Sequence, residues 1–91
     1  MEHYVITEAL KRGAEVYKNV GCTGKTDIVI DFNGFIERCD VKTLGTGANG
    51  KKTWVRSMVR AESTPIGVDP YTYEIKWHPK RIPEGLESFW D

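Results

Sequence analysis

Apolar and polar positions along the chain change period several times, and each change predicts an element. Val5, Ile6, Ala9 and Leu10 recur at spacings of one, three and four, drawing one apolar stripe along a helix over residues 2–12. Gly13, behind Lys11 and Arg12, is the expected stop. A short strand is predicted over 15–20 and a turn over 21–25. Residues 27–32 read as a strand, Asn33-Gly34 as a two-residue hairpin turn, and 35–43 as the returning strand. Residues 44–50 hold three glycines and predict a loop. Residues 54–59 fit strand or helix equally. Tyr71, Tyr73, Ile75 and Trp77 alternate with polar residues, the period of a half-buried strand, and Pro79 and Pro83 end it. The predicted order is helix, strand, hairpin, glycine loop, then one or two more strands. No repeat or linker divides it, so residues 1–91 form a single domain.

Composition changes this picture little. A chain of 91 residues buries about 60% of its unfolded surface, so the core is modest. Hydrophobic residues at 40% and charged residues at 29% are ordinary for a globular protein, and ten aromatic residues spread along the chain argue against disorder. No apolar run approaches the roughly 20 residues of a membrane span, and no secretion signal is visible, so an intracellular, cytoplasmic protein is expected. Cys22 and Cys39 make no CxxC pair, which weighs against zinc. Without secretory context they are expected to stay reduced, as core residues of adjacent strands.

Charge adds a question of placement. Thirteen basic and thirteen acidic residues cancel, so any attraction to nucleic acid must come from where the charges sit. Lys51, Lys52, Arg56 and Arg60 cluster past the centre, while Glu84, Glu87 and Asp91 gather at the end. Such runs are more often solvated faces than binding sites.

The hairpin carries the candidate chemistry. Asp40 and Lys42 share a face of the second strand because side chains alternate. With a two-residue turn Phe32 faces Phe35, and counting outward Asp27 faces Asp40, with Cβ atoms about 5 Å apart. Two facing carboxylates repel, and a divalent cation such as Mg²⁺ between them relieves the repulsion. A neighbouring lysine can then orient or help deprotonate an attacking water, or stabilise charge on a phosphate. The plainer alternative is a surface Asp40–Lys42 pair with Asp27 merely opening a strand. The helix adds a further acid: Glu2 points along the apolar stripe, while Glu8 lies more than about 100° away, towards solvent. An acid on an apolar face is costly to bury unpaired, although acids also favour a first helical turn for its dipole. His3 and His78 have no identifiable partner and receive no role.

These residues resemble the PD-(D/E)xK, or restriction-endonuclease-like, nuclease superfamily. Its pattern runs from an acidic helix to a strand, an acid at a strand start, a hairpin, and then (D/E)-x-K. Here it reads Glu2, then Gly13-Ala14-Glu15-Val16, Gly24-Lys25-Thr26-Asp27-Ile28-Val29-Ile30, and Cys39-Asp40-Val41-Lys42-Thr43. The resemblance covers residues 2–44 and is nearest to small branches: archaeal-type Holliday junction resolvases, virus-type replication-repair nucleases and group I intron-associated endonucleases. The stretch from Gly67-Val68-Asp69 to Ile82-Pro83 is similar to the last of these. The resemblance implies an α/β (α+β) fold with a restriction-endonuclease-like core, in which an N-terminal helix precedes a central mixed β-sheet. It implies Asp27 as metal-bridging acid, Asp40 as second acid, the Val41 carbonyl as a further ligand, Lys42 as catalytic lysine and Glu2 as helix acid. Thr26 stands where the name has proline, and Asp40 where Glu is more usual. The family's second core helix is short or missing here, unless residues 54–62 supply it.

The function so implied is a Mg²⁺- or Mn²⁺-dependent DNA endonuclease, resolvase-like on branched DNA, with Lys51, Lys52, Arg56 and Arg60 on phosphates. The alternatives are a nucleic-acid-binding module that does not cut, and an interaction protein using exposed aromatics. Small size and the missing helix point to a homodimer, and brevity to a phage or mobile-element origin. Phe89-Trp90 is expected to pack on the core sooner than on a second subunit.

Overall fold

The computed structural model describes residues 1–19, 26–46, 52–54 and 63–91, with only the backbone for Thr46, Lys52 and Thr53. Helix α1 spans Glu2–Lys11, and the chain turns away through Gly13 at φ +90°, a left-handed conformation that glycine adopts freely. The strands are β1 (Glu15–Lys18), β2 (Ile28–Phe32), β3 (Phe35–Thr43), β4 (Gly45–Thr46), β5 (Lys52–Thr53), β6 (Thr64–Val68) and β7 (Ile75–Trp77). Five of them form one sheet in the order β1-β2-β3-β6-β7, and β4 pairs with β5 apart from it. The sheet is mixed: β3 and β6 run parallel, and the other neighbours run antiparallel. An N-terminal helix followed by a mixed sheet is the α+β fold expected from the sequence.

The β2–β3 hairpin forms in the register counted outward from its turn. Phe32 faces Phe35 and Ile28 faces Cys39. Asn33 and Gly34 take φ values of +53° and +86°, the two positive angles a tight primed turn requires. Alternation then sorts the two faces of the sheet. Ile28, Ile30, Cys39, Ile66, Val68, Ile75 and Trp77 join Val5 and Ala9 of α1 in the core. Each buried Ile or Val among them contributes roughly 1.5–3 kcal/mol by leaving water.

The C-terminal tail closes that core. Leu86, Phe89 and Trp90 are buried, as expected for the last two. The Trp77 indole N–H donates to the Leu86 carbonyl at 2.7 Å, and the Phe89 ring meets Phe32 edge-on at 5.0 Å. Arg12 lies over the Trp90 ring and donates to the Trp90 carbonyl. Burial on the helix is therefore rotated from the expected stripe: Leu10 is 53% exposed, while the Glu8 side chain, expected in solvent, is only 19% exposed and bonded to Arg12. The rotation follows from the tail, which covers the Arg12 side of the helix.

Two further expectations change. The strand read over 71–78 is reduced to Ile75–Trp77, because Asp69 captures the preceding chain. Its carboxylate accepts the N–H groups of Tyr71 and Thr72, its carbonyl accepts that of Tyr73, and Tyr71 is left 79% exposed. Conversely β6 is a fully buried central strand that the alternation did not reveal. Its Pro65 lacks an N–H only on the β7 side, one residue before the β6–β7 ladder begins at Ile66. Cys39 is buried and free, and burial pushes its thiol pKa up. Cys22 and most of 54–62, the stretch that could hold a second helix, lie outside the described residues.

Candidate functional site

The site forms where β2 begins and β3 runs on past it. Ile28 is the last paired residue of β2, facing Cys39. One step further out, Asp27 still donates its backbone N–H to the Cys39 carbonyl at 2.9 Å. The next N–H on that edge of β3, that of Val41, faces no strand among the described residues, and the Asp27 carboxylate accepts it at 2.9 Å. Within a strand the N–H and C=O of one residue point to the same side, so the Val41 carbonyl also faces the gap beyond β2.

Asp40 and Lys42 stand on the face of the sheet opposite α1. Asp40 Oδ2 pairs with Lys42 Nζ at 3.3 Å; the Asp40 side chain is 19% exposed and that of Lys42 47%. The Asp40 pKa is raised to about 6, first by burial and then by hydrogen bonding to Asp27 and repulsion from it, with Lys42 pulling the other way. The structure thus brings Asp27, Asp40 and Lys42 together, and leaves the two acids short of positive charge.

Neighbouring groups fix the segment that carries Asp27. Asn19 donates its backbone N–H to the Asp27 carbonyl at 3.0 Å and its side-chain amide to the Thr26 carbonyl at 2.8 Å. The Thr26 hydroxyl bonds that of buried Ser63 at 2.6 Å. These supports escape the sequence, since they bridge distant elements. The strand-end bond from Asp27 to Val41 did have a signal, an acid placed directly before an apolar strand.

Glu2 is placed differently. It pairs with Lys18 at 3.5 Å, and Lys18 is the partner of Ile28, so Glu2 reaches the same end of β2 from the helix side. Among the described residues no group of three or more His, Cys, Asp or Glu side chains could hold a metal ion. The donor set in view is therefore two carboxylates with the Val41 carbonyl beside them. All three are hard oxygen donors, and a repulsion that Lys42 offsets only in part fits a divalent cation such as Mg²⁺, which keeps several waters among its ligands. Of the expected phosphate contacts, Lys51, Arg56 and Arg60 lie outside the described residues. Lys52 is seen only as backbone in β5, paired with Thr46 just past the end of β3.

No protein-family model matches this sequence, and no curated protein matches it. Among solved structures, a bacterial homing endonuclease, I-Ssp6803I, superposes with a TM-score of 0.65 at 21% identity. The match covers 86% of this chain and 59% of that one, so this chain spans about three fifths of the endonuclease. The likeness is one of fold: a small α+β domain with the architecture of an endonuclease.

Proposed function

We propose that this chain is a metal-dependent DNA endonuclease domain of the PD-(D/E)xK type. The observation that carries the reading is the meeting of Asp27 and Asp40 at the start of β2, with Lys42 paired to Asp40. The endonuclease fold of the structural neighbour supports it. Asp27, Asp40 and the Val41 carbonyl would hold Mg²⁺ or Mn²⁺, which when bound supplies Lewis-acid stabilisation of charge on phosphate oxygens. Asp27 is pre-set for this by accepting the Val41 N–H, which holds its carboxylate beside Asp40. Lys42, half exposed beside the acids, orients the attacking water and stabilises the charge that builds on the phosphate. Glu2, held by Lys18, takes the supporting part of helix acid. Lys51, Lys52, Arg56 and Arg60 would supply phosphate contacts, and of these Lys52 stands in β5, whose partner β4 follows directly on the end of β3. A homodimer would suit a two-fold substrate such as a duplex or branched junction.

The test is cleavage of supercoiled plasmid and labelled branched DNA with Mg²⁺ or Mn²⁺, comparing wild type with Asp40→Asn. The proposal expects metal-dependent nicking that the substitution abolishes. If the wild-type chain does not cut and its melting temperature does not respond to either metal, the proposal is wrong. Metal-independent DNA binding would then favour a binding module on the same fold.

A further inference from the structure

Lys42 is nearly half exposed, so burial does not fix its side chain, yet the proposed chemistry needs its ammonium in one place. Four rotatable bonds give a lysine much freedom to lose. The neighbouring strand offers a device that limits it. Gly67 is the Cα partner of Lys42 in the parallel β3–β6 register, so both face the same side of the sheet as Asp40. A Cβ on Gly67 would collide with the Trp54 ring, its Cζ3 at 2.8 Å, and with Leu44 Cδ2 at 2.7 Å. The indole therefore fills the place of the missing side chain, one strand spacing or about 5 Å from the root of Lys42.

Trp54 is itself backed. The His78 ring lies 4.8 Å from it, centroid to centroid, tilted by 58°. His78 is buried, and its Nδ1 accepts the Lys80 N–H at 3.0 Å, which fixes the ring and leaves the proton of the neutral form on Nε2. Burial, and then the charges of Lys80 and Arg81, lower its pKa, so the wall behind Trp54 is uncharged at neutral pH.

We propose that Trp54 is a positioning residue for Lys42: seated in the Gly67 notch and backed by His78, it walls off the space into which the lysine would swing and keeps the ammonium at Asp40. This rests on the reading of Lys42 as the catalytic lysine. The glycine has a specific job in this account, because any side chain at position 67 would evict the indole. The sequence alone singled out neither Gly67 nor His78 for the site.

The test combines NMR of the full chain with ¹³C-labelled lysine, the Lys42 signals being assigned by their loss in Lys42→Ala, with steady-state cleavage. The Lys42 methylene protons should be shifted upfield by the indole ring current in wild type. The shift should vanish in Trp54→Ala and Gly67→Ala and persist in Trp54→Phe. In Trp54→Ala the kcat should fall roughly 10- to 100-fold, the scale of a small misplacement of a catalytic group. KM should hold within about twofold, and Trp54→Phe should recover most of the rate. Unshifted Lys42 signals in wild type overturn the inference even if Trp54→Ala fails to fold, and so does unchanged kcat in Trp54→Ala. A wild-type chain that cuts DNA but lacks the shift sinks this inference alone. One that shows the shift but cuts nothing sinks the nuclease reading, and the catalytic part of this inference with it.

Discussion

The two faces of the five-stranded sheet are made by the same strands and serve opposite ends. On the face towards α1, Ile28, Ile30, Cys39 and Ile66 lie among apolar side chains and are fully buried. On the other face, Asp40 and Lys42 alternate with these core positions, and Asp27 sits at the strand end beside them. A single step along β3 leads from a buried thiol to a carboxylate that burial and then Asp27 hold up to about pKa 6. The first face stabilises the fold through burial. The second gives up stability by holding two acids together, and that concession is what would bind a cation. Stability and chemistry therefore respond to different substitutions on a single strand.

The largest expected effect is on the chemical face. Lys42→Ala should lower the cleavage rate by about 10²- to 10⁴-fold, as loss of a group acting on the transition state does, while losing only about 1 kcal/mol or less of stability with its half-exposed pairing to Asp40. Retained cleavage would remove the lysine from the mechanism. On the core face, Ile66→Ala should cost about 2–5 kcal/mol in urea unfolding, since Ile66 is wholly buried between strands. A loss below about 1 kcal/mol would mean that the core closes over the gap.

A subtler effect is pH-dependent. The folded chain holds the Asp40 proton with a pKa of about 6, against 3.8 for an ordinary aspartate, so between these values the native state binds more protons than the unfolded chain. Stability must then fall as pH rises through that window, and the loss is complete above about 6. In metal-free buffer Asp40→Asn should be more stable than wild type at pH 8 by about 1–3 kcal/mol, and the gap should close below pH 4. A gap that stays constant with pH would contradict the carboxylate pair, and Mg²⁺ should narrow it at pH 8 by stabilising only the wild type. The smallest effect is expected at Glu2. Its pairing with Lys18 is long and half in solvent, so Glu2→Gln should change stability by less than about 1 kcal/mol. Its cleavage defect should be smaller than that of Asp40→Asn, and an equal defect would place Glu2 among the metal ligands.

Much of this was legible locally. Asn33-Gly34 dictates a two-residue turn, and that turn sets every pairing outward to the neighbourhood of Asp27 and Asp40. The stripe of α1 fixed its existence but not its rotation, because Trp90, 78 positions from Arg12, decides which side is covered. The strand β6 was hidden because Pro65 and Gly67 argue against a strand one residue at a time. Each is tolerated for a non-local reason: the ladder to β7 starts after the proline, and Trp54 needs the glycine's empty side. Tyr71 and Tyr73 alternate correctly for a strand but are lifted off the sheet by Asp69. Alternation predicts a face only where no side chain captures the backbone first.

The most direct test is Mn²⁺ binding and plasmid nicking measured in the same samples, for wild type, Lys42→Ala and the double variant Asp27→Asn/Asp40→Asn. The account predicts that wild type binds and nicks, that Lys42→Ala binds without nicking, and that the double variant, still folded, does neither. Binding of Mn²⁺ by the double variant as tightly as by wild type, or nicking by Lys42→Ala at the wild-type rate, would contradict it.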